Sequence, residues 1–242
     1  GVVLSAMPVG EYDKRIVLLT RERGKISAFA KGARRPNSQF LAAANPFVFG
    51  TFALYEGRSS YNLNQVSITH HFVELAGEQP GIYYGYYFLE LADYFGQEGT
   101  DEKESMNLLY VTVKALLNPH IEDRLVRCIF ELRMMAAQGL CPSLFHCVCC
   151  ERQPVEGEEI FFSQQNHGIL DKHCLGQVND AKRISAPALY AMQYIVTTSL
   201  GKLYTFTVTE EVLYELERHI HTYVASNTEK RFKSLEILEI MS

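Results

Sequence analysis

RIVLLTRERGKISAFAK, residues 15–31, is two β-rich runs about a charged glycine turn. Arg15-Ile-Val-Leu-Leu-Thr20 is rich in branched apolar residues, Arg21-Glu-Arg-Gly24 turns the chain, and Lys25-Ile-Ser-Ala-Phe-Ala30 alternates again. Because side chains alternate along a strand, Ile26, Ala28 and Ala30 share one face while Lys25, Ser27, Phe29 and Lys31 share the other. Parity alone does not say which face is inward, so Phe29 is either a core residue or an exposed ring.

Reading outward, the loop KGARRPNSQ (residues 31–39) follows directly, then strand-like runs at Asn45–Tyr55 and Tyr61–Thr69 about a turn at Glu56–Ser59. About five short strands linked by glycine turns, with no helix-length apolar period among them, predict a small β-barrel such as the OB-fold over residues 1–78. From residue 79 the period changes. Helices are expected over Ile82–Phe95, Lys103–Leu117 and Ile121–Gln138, with Gly139 and Pro142 as stops. Further helices should follow the N-caps Ser185 and Thr209, and an amphipathic one closes the chain over Arg231–Met241. Residues 141–180 are rich in cysteine, glycine and charge, with one short strand at Glu159–Ser163. The expected architecture is thus multidomain β + α: an amino-terminal OB-fold barrel (1–78), then an α-helical domain (79–242) with a zinc-knuckle-like insertion at about 141–180.

Composition bounds the function. The 242 residues are 47% hydrophobic and 21% charged, as in ordinary globular chains. No run approaches the roughly 18 apolar residues of a membrane helix, and no signal peptide is evident, so a cytoplasmic protein with no membrane association is expected. The net charge of −5 hides an asymmetry. Residues 1–40 carry eight Lys or Arg against three acids, a balance of +5; the remainder carries 15 against 25, a balance of −10. A basic amino end on an acidic body suits a polyanion. The residues expected to hold phosphates are Lys25, Lys31, Arg34 and Arg35, then Lys14, Arg15, Arg21 and Arg23, with Phe29 as a ring on which bases stack.

Cys147-x-x-Cys150 has the spacing that points two thiolates at one tetrahedral ion. The second half reads Asp171-Lys-His-Cys174, which supplies one sulfur. Cys147, Cys150 and Cys174 are therefore candidate ligands of a structural Zn2+, with the fourth position open among Asp171, His173, His167 and Cys149. Catalytic signatures are lacking. There is no phosphate-cradling G-x-x-x-x-G-K-[ST] and no H-E-x-x-H, and the cysteine pair lacks the H-x-E of the zinc deaminases. No catalytic residue is assigned and a non-enzyme is expected.

Several segments in order carry a resemblance: Glu11-Tyr-Asp13, Thr20-Arg-Glu-Arg-Gly-Lys25, Ala30-Lys-Gly-Ala-Arg-Arg-Pro36 with Phe40, Pro46-Phe47, Glu131-Leu-Arg133, Gly139, Pro142, Cys147-x-x-Cys150 and Phe232-Lys-Ser-Leu235. Together they resemble the bacterial recombination mediator family RecO over essentially the whole chain. The resemblance implies a DNA repair and recombination function in the nucleoid: binding single- and double-stranded DNA and annealing complementary strands. It also implies action with RecR to load RecA onto DNA coated by single-stranded DNA-binding protein, whose acidic carboxyl-terminal tail the helical domain grips. Asp171 departs from the family pattern, which has a third cysteine there. For the tail, Arg124, Arg127 and Arg133 on one expected helix are the candidate grip, with salt bridges inside the bundle as the competing reading. The alternative function is an OB-fold interaction scaffold that touches nucleic acid weakly or not at all.

Overall fold

The computed structural model describes residues 1–57, 60–155 and 157–241. In chain order the elements are β1 (Val2–Val9), β2 (Asp13–Thr20), β3 (Gly24–Ala30), β4 (Val48–Glu56), β5 (Tyr61–His71), α1 (Gly81–Phe95), α2 (Lys103–Leu116), α3 (Asp123–Ala137), β6 (Ile160–Ser163), β7 (Gly168–Asp171), β8 (Lys182–Ile184), α4 (Ala186–Thr197), α5 (Glu210–Ser226) and α6 (Lys233–Met241). No helix among the described residues is long and apolar enough to cross a membrane. The turn expected over Glu56–Ser59 falls partly on residues 58 and 59, outside the described residues.

The first five strands close a barrel in the order β1-β2-β3-β5-β4. All its pairs are antiparallel except β3 with β5, which run parallel through Ala28 and Phe29 against Tyr61 and Asn62. Register shifts in β1 near Val3–Ser5 and in the β4–β5 pair give the local bends that closing so few strands demands. Inside lie Val3, Ile16, Leu18, Ile26, Ala28, Ala30, Val48 and Leu63. Parity on β3 is thus resolved: Ile26, Ala28 and Ala30 point inward, while Lys25, Ser27 and Phe29 lie on the outer face. The small alanines leave room that Ala33, Phe40 and Ala44 fill from the long β3–β4 connection. That connection is therefore anchored in the core by its own apolar residues. The strand expected from Asn45 begins only at Val48, because Phe47 sits at φ 65° and bends the chain.

The chain forms two compact units, Gly1–Leu117 with Phe232–Ser242, and Asn118–Arg231. The change from strands to helices near residue 78 and the division of compact units are different boundaries, since α1, α2 and α6 pack in the same unit as the barrel. The β2–β3 turn is fixed against the α1–α2 connection, where Lys25 N–H donates to Gln97 O (2.8 Å) and Gly99 N–H to Arg23 O (2.9 Å). Gly24 there has φ +66°, and a Cβ would stand 2.0 Å from Gln97 O, so only glycine fits. Helix α6 joins through Phe232, edge-on to Tyr87 (5.6 Å) and Tyr94 (5.8 Å). The Glu90 carboxylate supplies its missing cap, accepting from the Ser234 N–H (3.0 Å) and hydroxyl (2.6 Å).

The second unit contains α3, α4, α5 and a small sheet in the order β7-β6-β8. Ser185 caps α4 as expected, its hydroxyl accepting from Ala188 N–H. Between residues 141 and 180 one strand was expected and two are present, β6 and β7, with β8 just beyond. Strands of four and three residues are too short to show an alternating pattern.

Candidate functional site

The loop KGARR leaves β3 beside the β1–β2 turn, because Lys14 of β2 is the cross-strand partner of Ala30. Asp13 accepts a bond from Gly32 N–H (2.7 Å), and Arg34 N–H donates to Tyr12 O (2.9 Å). Gly32 has φ +68°, a conformation that a side chain would strain. With Ala33 buried beneath it, the loop is pinned at both ends and its cations project outward. Lys31 is exposed and its ammonium has no partner among the described residues. Arg34 donates to Gly10 O (3.1 Å), and the Arg35 guanidinium lies over the Tyr12 ring at 4.9 Å. Tyr12 is 43% exposed. It is an aromatic platform under a cation that sequence reading overlooked; its place between Gly10 and Asp13 in a hairpin turn was the available signal.

Other expected phosphate ligands are dispersed. Lys14 donates to Ala44 O (3.0 Å) and Asn45 Oδ1 (2.7 Å), holding the β3–β4 connection; burial and then the neighbouring Arg34 charge lower its pKa. Lys25 reaches the carbonyl and, at 3.5 Å, the carboxylate of Asp93 at the end of α1. Arg21 pairs with Glu22 at 3.5 Å in the exposed β2–β3 turn, which Arg23 shares. That turn lies at the far end of the hairpin from Lys31, roughly 20 Å away at about 3.3 Å per residue. Arg15 bonds Ser27 Oγ (2.8 Å) on the outer face, directly across from Phe29. Phe29 is half-buried, and with Arg15, Ser27 and Tyr61 it lines a cleft of about 400 Å³ whose other walls include Glu56 and Glu98.

In the second unit, Cys147, Cys150 and Cys174 bring their sulfur atoms within 4.8 Å of one another. Tight turns build the cluster. Glu151 at φ 58° reverses the chain after Cys150, Cys147 N–H donates to Arg152 O (2.9 Å), and Cys174 sits in a 3-10 turn that Asp171 caps through His173 N–H (3.0 Å). Burial pushes the Cys147 thiol up, but the N–H groups of Asp171, Cys150 and Cys149 aimed at its sulfur prevail and bring it down to about 7. Such N–H···S bonds stabilise a thiolate, so the donors present fit a thiophilic ion. Burial first, then bonds from Cys150 and Cys147, raise the Cys174 thiol. Asp171 is engaged elsewhere: its carboxylate accepts from Arg152 Nε (2.6 Å), and Arg152 also bonds Glu158 (3.0 Å). The His173 bond, then that to Arg152, outweigh burial and hold Asp171 below the usual carboxylate range.

The three arginines of α3 are committed within their own unit. Arg124 grips Glu217 through two bonds (2.9 and 2.6 Å) and also meets Glu210 (2.8 Å) and Glu122 (3.0 Å), which raise its pKa. Arg127 pairs with the fully buried Glu131 at 2.9 Å. Arg133 donates to Val196 O at 2.5 Å. An apolar cleft of about 660 Å³ lies in the same unit, lined by Pro187, Tyr190, Tyr194, Phe206, Val208 and Val212 among others.

Comparison with known proteins is consistent along the chain. The family pattern described as "Recombination protein O N terminal" matches residues 1–72, and "Recombination protein O C terminal" matches residues 81–236. A protein of Symbiobacterium thermophilum named DNA repair protein RecO is 31% identical over 242 residues, spanning 100% of this chain and 96% of its own. Proteins of the same name from Alkaliphilus metalliredigens (98% of this chain, 96% of theirs) and Clostridium perfringens (100% and 96%) are each 30% identical.

Proposed function

This chain belongs to the RecO family of DNA repair proteins, and from that premise we propose that it is a non-enzymatic recombination mediator. It binds single- and double-stranded DNA, anneals complementary strands at the nucleoid and, with RecR, helps load RecA onto DNA coated by single-stranded DNA-binding protein. The observation that carries this reading is the pinned loop: Lys31, Arg34 and Arg35 presented on one side of the barrel beside the half-exposed Tyr12 ring. Cations there hold phosphates irrespective of sequence, and a ring beside them stacks on an unpaired base. A strand held by its backbone keeps its pairing edges free, which is what annealing requires. Phe29 in its cleft is a second stacking surface, though Glu56 and Glu98 repel phosphate there and keep the backbone toward the loop.

The acidic partner tail, if it ends in an aromatic residue, finds its apolar seat in the Tyr190 cleft rather than at the occupied arginines of α3, with Lys202 beside Tyr194 as a cation. The knuckle holds one structural zinc on Cys147, Cys150 and Cys174. Bound there, the ion cross-links two turns. Protein purified without added metal should contain about one zinc per chain, and less than about half an equivalent would remove this part of the reading.

The central test is annealing of two complementary labelled oligonucleotides without nucleotide cofactor. The protein should accelerate duplex formation well above the spontaneous rate, and a variant lacking the loop cations should not. No acceleration by the wild type, together with no salt-dependent binding, would leave the interaction-scaffold function in place of this one.

A further inference from the structure

The cleft that Phe29 lines, about 400 Å³ in volume, is bordered by charged groups that the protein itself leaves unpaired. β3 lies between β2 and β5 in the barrel, so Phe29 has Arg15 of β2 on one side and Glu56, at the end of β4 where the chain turns into β5, on the other. Glu98 reaches the same cleft from the α1–α2 connection, which bridges to Gly24. The Arg15 Nε donates to Ser27 Oγ (2.8 Å), which sets the plane of the guanidinium; its two Nη groups have no partner among the described residues. The Glu56 and Glu98 side chains are exposed and likewise without partners among the described residues. Met7, the cross-strand partner of Arg15, is 65% exposed on the same outer face and extends the apolar surface past the guanidinium.

A cation and a carboxylate held on opposite sides of an aromatic ring suit a flat ligand with acceptors on one edge and donors on another. Two acids disfavour a phosphate, and Arg15 disfavours a lysine or arginine side chain. Among the bases, guanine carries O6 and N7 as adjacent acceptors and, next around the ring, N1–H and the 2-amino group as adjacent donors. The first pair matches the fork of a guanidinium, and the second matches a carboxylate, which only accepts. Adenine has its amine beside N7, cytosine has its amine beside N3, and thymine has one N–H between two carbonyls. None of those three offers two adjacent donor atoms to a carboxylate. The cleft also continues the phosphate-holding loop. Lys31 follows Phe29 by two residues, roughly 7 Å along the chain, so a strand gripped by the loop can lay a neighbouring base on the ring.

We propose that this cleft selects guanine. One unpaired guanine of the bound strand stacks on Phe29, its O6 and N7 accept from Arg15, and its N1–H and 2-amino group donate to Glu56. Glu98 keeps phosphate out of the cleft. The rest of the strand is held without regard to sequence, and only the base in the cleft gives up its pairing edge. A sequence-tolerant grip thereby acquires a preferred register.

The inference rests on the strand-binding reading given above, and one set of oligonucleotides separates the two. Labelled oligothymidylates carry guanine, inosine, adenine, cytosine or thymine at the central position, and fluorescence anisotropy measures their affinities at one salt concentration. Wild type should bind the guanine oligonucleotide about tenfold more tightly than the all-thymine one, toward the low end of what a bidentate base contact contributes. Inosine, which lacks the 2-amino group, should fall between them. Glu56→Gln should bring the guanine preference below about threefold. Glu98→Gln should keep the preference and tighten binding to every oligonucleotide, because a charge that repels phosphate is gone. Equal affinity for all central bases, inosine bound as tightly as guanine, or an undiminished preference in Glu56→Gln overturns this inference while the strand-binding reading stands. Equal affinities together with an oligoarginine peptide bound by wild type and released by Glu56→Gln would assign the cleft to a basic partner segment instead. No salt-dependent binding of any oligonucleotide overturns both readings. A thermal melt confirms that each variant is folded, and the inosine comparison needs no variant.

Discussion

Replacing Lys31, Arg34 and Arg35 together by glutamine removes three positive charges from one loop and disturbs little else. None of the three side chains is buried, and the bonds that shape the loop run through the backbone of Gly32 and Arg34. Each phosphate neutralised on single-stranded DNA contributes about 0.7 to the slope of log affinity against log salt, so the slope should shallow by about 2. Between 50 and 200 mM salt the wild type should then lose roughly 20-fold more affinity than the variant. Fluorescence anisotropy of a labelled oligonucleotide at four or five salt concentrations measures both slopes, with a thermal melt confirming that the variant is folded. Lys25→Gln is the matched control, because its ammonium is held by Asp93. It should lower stability and leave the slope alone. A folded triple variant with the wild-type slope, or a Lys25→Gln slope as shallow as the triple variant's, would refute the placement of the phosphate contact on this loop.

Gly24→Ala forces a Cβ to 2.0 Å from Gln97 O at a positive φ, so urea unfolding should show a loss of about 3 kcal/mol or more; a loss below about 1 would contradict the packing described. Arg127→Met removes one charged partner of the buried Glu131 carboxylate, which His221 also approaches at 3.5 Å, and should cost about 3 kcal/mol in the same assay, while tail-peptide binding by any folded fraction should be intact. His219 is buried against Phe162, and burial first, with Arg218 adding to it, brings its pKa from 6.5 to about 4. The unfolded chain thus binds the proton first. The stabilising effect is complete above pH 6.5 and is lost as pH falls toward about 4, by about 3 kcal/mol in all. His219→Gln should flatten the fall in stability over that window, and parallel profiles for the two proteins would exclude the assignment.

The barrel was legible because its information is local: alternation through residues 15–30 and a glycine turn that only one residue type can make. What alternation left open was the sense of the faces, since Phe29 and Ile26 are equally apolar and only closure against Leu63 and Phe40 selects Ile26. The cations illustrate the opposite case. Lys25 and Lys31 look alike in sequence, yet Lys25 meets Asp93, 68 residues away, and no local pattern announces that meeting. For the arginines of α3 both a tail grip and salt bridges inside the bundle were open, and the choice could not be made locally for Arg124, whose acids Glu210 and Glu217 lie on α5. In the knuckle the C-x-x-C half was plain from spacing. That Asp171 turns from the sulfurs to Arg152 could not be read from spacing, because it depends on a side chain 19 residues away.

The capping of α6 by Glu90 and the seating of Phe232 on Tyr87 make the barrel's unit discontinuous in sequence, interrupted by residues 118–231. During synthesis the ribosome delivers the barrel, α1 and α2 first, and the piece that covers Tyr87 and Tyr94 arrives only after the whole second unit has emerged. The nascent amino-terminal unit therefore waits with an aromatic face uncovered, and a chain cut short anywhere within the second unit leaves it so permanently. Completion of the first-made unit thus requires that translation has passed the whole of the second.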